Sequence, residues 1–343
     1  MDKSLNLKFL IVSVVASLVI ISVIFSHNFN KQTVYAFFHL DYFWLLIAIL
    51  VHILYWILWT LRIKVLSKAL NYKITLKQSF NVVLTNVLAA SITPSNTGGE
   101  PVRIKVLNDY GVKPGDATAI ILMERLTDGI FLSSLFPILI MYFGFSIGGL
   151  VGYMLFITFA LMFSGIMLFI LLFYKKRDLS KFTNLLYKLI KIFIKDNNKR
   201  ERYIKKIEKE IDNFQNSLEK YFKKKKIYIF ITLTISGLMW VSDFFVFSLV
   251  LLSLHTNPVW IYSIFAQIIL VFITLLPISP GGSGVVEFSA ALLYSPYVPS
   301  GILPMAILSW RFVIFYLNII VGSVITFSYI AKGGKKNENK NMP

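Results

Sequence analysis

Apolar residues along this chain fall mostly in long unbroken runs. They do not alternate as in a half-buried strand, nor recur every three to four residues as on a surface helix. Runs at about 8–26, 41–62, 118–143, 147–174, 227–254 and 302–331 match the roughly 20 residues a helix needs to cross about 30 Å of hydrocarbon. About six full transmembrane helices are predicted there. Two more apolar stretches, 78–93 and 259–279, end in Gly/Pro-rich breaks. The first break reads Thr93-Pro94-Ser95-Asn96-Thr97-Gly98-Gly99, and the second Pro277-Ile278-Ser279-Pro280-Gly281-Gly282-Ser283-Gly284. Helix-compatible residues resume at about 100–110 and 284–294, so both segments are predicted to be broken or re-entrant helices.

The expected fold class is therefore an all-α polytopic membrane protein, with residues 1–343 as a single membrane domain. Composition agrees: 56% of residues are hydrophobic, 15% are charged and the mean hydropathy is +0.69. The start, MDKSLNLK followed by the apolar run 9–25, resembles a signal sequence. Ser26-His27-Asn28 offers no small-x-small cleavage site, which predicts an uncleaved anchor.

Charge adds orientation. The chain carries a net +18, and residues 175–226 hold 18 Lys/Arg against 7 Asp/Glu, a local net of +11. A basic run beside membrane spans reads as a cytoplasmic loop that attracts anionic headgroups, in preference to a nucleic-acid site. Within it Tyr203, Ile204, Ile207, Ile211 and Phe214 recur near a helical period, as on an amphipathic surface helix or in a helix hairpin. Lys3 and Lys8 place the N-terminus inside. Arg62, Lys64, Lys68, Arg103, Lys105, Lys113, Lys332, Lys335 and Lys336 then all fall on the cytoplasmic side, with the C-terminus. The expected location is the cell membrane, multi-pass, both termini cytoplasmic.

A shift of 186 residues lays span 41–62 on 227–248 and span 118–143 on 304–329. The same shift puts Thr93-Pro94 on Ser279-Pro280, Gly98 on Gly284 and Arg125 on Arg311, each arginine 31 residues after its proline. Residues 41–143 and 227–329 are thus expected to be two copies of one unit. Their first spans start on opposite sides, so the repeat is inverted. Inverted repeats with paired broken helices are built like secondary transporters, whose breaks meet near the midplane around the substrate. Non-helical backbone survives at that depth only when buried in protein or lining a wet cavity.

The ionisable residues expected within the membrane are Glu100, Glu124, Arg125, Asp128, Asp243, Glu287 and Arg311. Each costs a few kcal/mol or more at the bilayer centre (about 2.5–3.5 on insertion scales) unless paired or hydrated. Glu124 and Asp128 are four apart and share a helix face. Asp243 needs a partner, for which Arg311 or Arg125 is the natural choice. Helices that start after Gly98-Gly99 or Gly281-Gly282-Ser283-Gly284 present backbone N–H groups and a positive dipole end to an anion. Ser95, Asn96, Thr97 and Ser283 add polar side chains there. Two such ends and two arginines suit a phosphate headgroup.

Other chemistries are excluded or disfavoured. The chain has no cysteine, which removes disulfides, thiolate catalysis and Cys-ligated metals. His27, His39, His52 and His255 have no metal-ligand spacing, so no metal or other cofactor is expected. Gly282-Ser283-Gly284 resembles the serine environment of some intramembrane proteases, but no histidine follows His255. No Gly-x-x-x-x-Gly-Lys-[Ser/Thr] sequence is present, which argues against ATP-driven transport.

Three motifs together carry a family resemblance. Thr93-Pro94-Ser95-Asn96-Thr97-Gly98-Gly99-Glu100-Pro101-Val102-Arg103, Glu124-Arg125-x-x-Asp128 and Pro280-Gly281-Gly282-Ser283-Gly284-Val285-Val286-Glu287 resemble the lysylphosphatidylglycerol synthase transmembrane-region family, also described as flippase-like. The resemblance covers nearly the full chain. It implies the membrane half that moves aminoacylated phospholipid between leaflets. About twelve residues follow the last predicted span, so the soluble aminoacyl-transfer domain is not expected here. The expected function is translocation of a phospholipid or lipid-linked headgroup through a polar midplane cavity, not enzymatic catalysis. A secondary transporter of a small anion, or an accessory subunit with a soluble transferase partner, are the alternatives.

Overall fold

The computed structural model describes residues 3–28, 30–93, 96–143, 157, 160, 163–165, 167, 197–275 and 279–338. Ser95, nearly all of the span placed at 147–174 and the basic loop before residue 197 lie outside them. Among the described residues every regular element is helical. We number these α1 (Lys3–Asn28), α2 (Lys31–Phe38), α3 (Tyr42–Ala69), α4 (Leu76–Ser91), α5 (Gly99–Asp109), α6 (Pro114–Phe143), α7 (Asn197–Lys224), α8 (Lys226–Ser253), α9 (Trp260–Leu275), α10 (Val285–Tyr294), α11 (Leu303–Arg311) and α12 (Leu317–Glu338), with a π turn at Phe312–Tyr316.

The ends of these helices have local chemical causes. Asp41 begins α3 by accepting from the Phe43 amide at 2.9 Å. Thr75 and Gln78 begin α4 with a reciprocal capping box. Three helices are long and apolar enough to cross a membrane: Tyr42–Ala69, Lys226–Ser253 and Leu303–Ala331, the last running through the π turn. Shorter apolar helices cover Val14–Ser26, Trp260–Thr274 and Val285–Tyr294. On α3 the positions Ala48, His52, Trp56, Trp59, Ile63 and Leu66 are buried, while Leu46, Leu50, Leu54, Ile57 and Leu61 form an exposed apolar stripe. A helix that buries one face and leaves apolar side chains at helical spacing on the other is built for lipid on that side.

At the centre α3 packs along α8. The two run antiparallel. The Asp41 amide donates to the Ser253 carbonyl at 2.8 Å where α3 begins and α8 ends. Further along, Arg62 reaches Ser236 at 2.9 Å. The broken segments are helical hairpins. In the first, Asn81 near the start of α4 bonds Tyr110 just past α5 at 2.8 Å. In the second, Gln267 of α9 reaches the Tyr294 hydroxyl of α10 at 3.2 Å. Each hairpin carries its glycine turn at the tip. The tips touch: the Gly281 amide donates to the Thr93 carbonyl at 3.2 Å.

The amphipathic helix expected around 203–214 is present as part of α7, which packs on α6. Ser217 of α7 donates to Asp116 of α6 at 2.5 Å, and Tyr72 donates to the same carboxylate.

Candidate functional site

Where the hairpin tips meet, a cavity of about 660 Å³ opens between α3, α4, α6, α8, α9 and the segment after α11. Of the residues singled out in the sequence, Arg125, Arg311, Glu100, Asp128, Asp243, Asn96, Thr97 and Gly281 line it. Glu124 and Glu287 stand behind the wall, held by arginines that line it. Gly98, Gly99, Gly282, Ser283 and Gly284 form the turns beneath the tips.

The two arginines sit in unlike surroundings. Arg125 pairs with Glu100 at 2.8 Å, and both side chains are about half exposed. Arg311 pairs with Glu287 at 2.7 Å, with side-chain exposures of 4% and 0%. Ser17 of α1 also donates to Glu287, and Tyr316 donates to Ser17 at 2.8 Å. The Arg311 guanidinium lies 4.3 Å from the Phe315 ring. Its Nη2 is buried and finds no acceptor among the described residues. Arg311 stands at the entry to the π turn, and such turns often mark functional positions.

Backbone N–H groups at the glycine turns are already engaged. Gly98 donates to the Thr93 hydroxyl at 2.9 Å, and Gly284 donates to Glu287 at 2.7 Å. The dipole ends of α5 and α10 remain, but these amides stabilise the turns themselves. The N-terminus of α10 is closed by a carboxylate that also holds Arg311.

Asp243 does not reach either expected arginine as its ion-pair partner. Its partner is His52 of α3, with Nδ1 to Oδ1 at 3.2 Å. Arg62 and Arg103, which the charge pattern assigns to the cytoplasmic side, are only 1% exposed. Arg62 bonds Glu124 at 2.9 Å and also Asp128, while Arg103 pairs with the other oxygen of Glu124. Trp59 and Trp240 donate to Glu124 and Asp128, each at 2.9 Å. Two cations and two carboxylates thus share a buried cluster that balances to zero. Removing ions from water costs several kcal/mol each, and only such mutual pairing offsets it. Sequence reasoning missed His52, Arg62, Arg103 and Asn318. His52 carried the readable mark, a polar residue ten positions inside an apolar run. Arg62 looked like an ordinary charged helix end.

No group of three or more His, Asp or Glu side chains placed to hold a metal occurs among the described residues.

Comparison with known proteins places the chain in a family. The family model described as "Lysylphosphatidylglycerol synthase TM region" matches residues 10–322. A UPF0104 membrane protein of Archaeoglobus fulgidus is 32% identical over 329 residues, covering 95% of this chain and 99% of the relative. A UPF0104 membrane protein of Methanothermobacter thermautotrophicus is 25% identical over 267 residues, covering 74% and 76%. The chain belongs to the lysylphosphatidylglycerol synthase transmembrane-region family of membrane proteins.

Proposed function

We propose that this membrane protein translocates an anionic phospholipid or lipid-linked headgroup between leaflets, as a carrier and not as an enzyme. One observation carries the reading. Arg311, 97% buried in the cavity wall, has an Nη2 with no acceptor among the described residues, and the half-exposed Arg125 lines the same cavity. A buried N–H of a charged group left without an acceptor is costly, by about 1–3 kcal/mol or more, and a phosphate oxygen relieves it. The cavity wall is also mixed in character. Val87, Leu132, Met239, Val271 and Phe272 line it together with the charged groups, and a wall of both kinds suits an amphiphile.

Reading the two halves as an inverted repeat fits the same function. The antiparallel α3 and α8, the paired hairpins with touching tips, and an Arg–Glu pair in each half are what two copies of one unit related by an in-plane axis would give. On this reading 41–143 and 227–329 are the two units, the hairpins α4–α5 and α9–α10 are re-entrant, and both termini are cytoplasmic. By a rise of 1.5 Å per residue, His52 lies about 15 Å from the start of α3, at midplane depth for about 30 Å of hydrocarbon. Rocking of the units about the tips exposes the cavity to one leaflet and then the other while the tails stay in lipid. The basic segment that includes α7 holds anionic headgroups at the surface.

The test is leaflet exchange of fluorescent anionic phospholipids in proteoliposomes, comparing wild type with Arg125→Ala and Arg311→Ala at matched incorporation. Exchange in wild type that both substitutions reduce at least tenfold supports the carrier and its site. Uptake of a soluble phosphate ester without lipid exchange replaces it with a small-anion transporter. Lipid exchange that neither substitution alters moves the site elsewhere.

A further inference from the structure

His52 sits in a chain of hydrogen bonds whose direction the chemistry fixes. Asn318 donates through Nδ2 to the Ile314 carbonyl at 2.6 Å, inside the π turn. Its Oδ1 accepts from the Trp56 indole at 2.9 Å. An indole nitrogen only donates and a carbonyl only accepts, so the amide cannot be turned the other way. His52 Nε2 lies 3.1 Å from the same Oδ1 and must therefore carry a proton. That leaves Nδ1, 3.2 Å from Asp243 Oδ1. In a neutral ring protonated at Nε2, Nδ1 is a bare lone pair, and a carboxylate against it is repulsive. A proton held on Nδ1 and donated to the Asp243 carboxylate removes the conflict.

We propose that the His52–Asp243 contact is a one-proton site, filled in this conformation, and that its proton is the coupling ion of transport. The coupling half of this proposal rests on the translocation reading above; the proton site does not. His52 lies on α3 and Asp243 on α8, the antiparallel pair at the centre of the fold. Proton loss sets a lone pair against a carboxylate across that seam, so occupancy biases how the two helices pack. The side chains of both groups line the cavity, and Asp243 is 19% exposed, which gives the proton a path to water. Other ionisable groups of the same wall are Tyr55 and Arg62 from α3, Glu100 from α5, Arg125 and Asp128 from α6, and Arg311 from α11. The lining residues of α4, α9 and α12 are not ionisable. An anionic headgroup on Arg125 and Arg311 adds negative charge to the wall and favours the filled site. Proton and headgroup then bind together and move together.

The experiment has two readouts on the whole protein in liposomes. In the first, nitrogen NMR of 15N-histidine protein compares wild type, Asp243→Asn and His52→Gln. His52→Gln identifies the resonances, and the other histidines serve as internal references of a folded protein. The proposal expects the His52 Nδ1 resonance to move in Asp243→Asn to that of a neutral ring protonated at Nε2. A His52 spectrum identical in wild type and Asp243→Asn overturns the proton site whatever transport does. In the second, lipid exchange is measured with and without an imposed pH gradient. Wild type is expected to respond several-fold, and both substitutions to exchange lipid at a rate indifferent to the gradient. Variants that respond as wild type does overturn the coupling. An absence of exchange in wild type, with the spectral difference present, overturns the translocation reading and the coupling together while supporting the proton site.

Discussion

The amide of Gly281 and the carbonyl of Thr93 are joined by a hydrogen bond of 3.2 Å, which ties the tip of one helical hairpin to the tip of the other. Gly281 has φ +60, and a Cβ there would sit 2.5 Å from the Ser91 carbonyl oxygen and 2.7 Å from the Phe315 ring. Contact between the tips therefore depends on the absence of a side chain.

Gly281→Ala is expected to lower stability by more than about 2 kcal/mol, because backbone strain and a backbone clash add. Gly111→Ala shares a positive φ, +91, but nothing lies within 4 Å of its Cβ. It should cost only the strain, about 1 kcal/mol. Thermal unfolding of both variants in the same detergent makes the comparison. Equal losses would show that the tip contact contributes nothing.

The buried cluster makes a charge-balance prediction. Arg103→Met leaves the cluster net negative and Glu124→Gln leaves it net positive, and each is expected to cost about 3–5 kcal/mol. The double substitution restores neutrality and keeps Arg62 with Asp128, so it should cost less than the sum of the two. A double-mutant cycle on unfolding free energies measures this. Additive losses would mean that the groups do not act as a unit.

Carboxylates on the two arginines should behave differently because their exposure differs. Glu100 is half exposed, and its pair with Arg125 is worth about 0.2–1 kcal/mol. Glu100→Gln frees Arg125 and is expected to strengthen binding of a phosphate ester about two- to fivefold, with little loss of stability. Glu287 is fully buried and also holds the Gly284 amide. Glu287→Gln should lower the melting temperature markedly. Titration calorimetry and thermal unfolding separate the two cases.

The anchor of α7 is set by Gly115, where a Cβ would lie 2.1 Å from the Glu210 carbonyl oxygen. Gly115→Leu is expected to lift α7 from α6 and raise tryptic cleavage within α7 about tenfold or more, the factor that a loss of about 1.4 kcal/mol gives when cleavage follows local opening. Tyr72, which donates to Asp116 beside this contact, has its hydroxyl pushed up to about 12 by burial and by that bond. Its bond is thus fully kept below about pH 10, the tyrosine's ordinary value. The bond is lost as pH rises through about 12, the raised value. Cleavage unchanged in Gly115→Leu would show that α7 is held elsewhere.

Much of the fold was legible from local sequence. Apolar runs of crossing length placed α8 and the helix through α11 and α12 to about a residue, and the start of α3, whose end lies seven residues beyond the expected 62. The Gly/Pro breaks placed both hairpin tips: Gly281, Gly282 and Gly284 hold positive φ at the second, while at the first Gly98 and Gly99 leave no room for a Cβ against Thr93 and Asn86. The four-residue spacing of Glu124 and Asp128 correctly put both on one face, since an i, i+4 relation is internal to a helix.

What the sequence alone determined is therefore whatever is decided within a few residues: the helices, their ends and the faces they present. The tertiary structure decided who pairs with whom. His52 meets Asp243 from 191 residues away, and Arg62 meets Glu124 from 62 away. Both choices are made by the antiparallel packing of α3 on its neighbours. A buried charge must find some partner, but which one depends on helix positions that no local pattern encodes. The exposed Arg125 and the buried Arg311 look alike in sequence for the same reason: burial is a property of what packs around a residue.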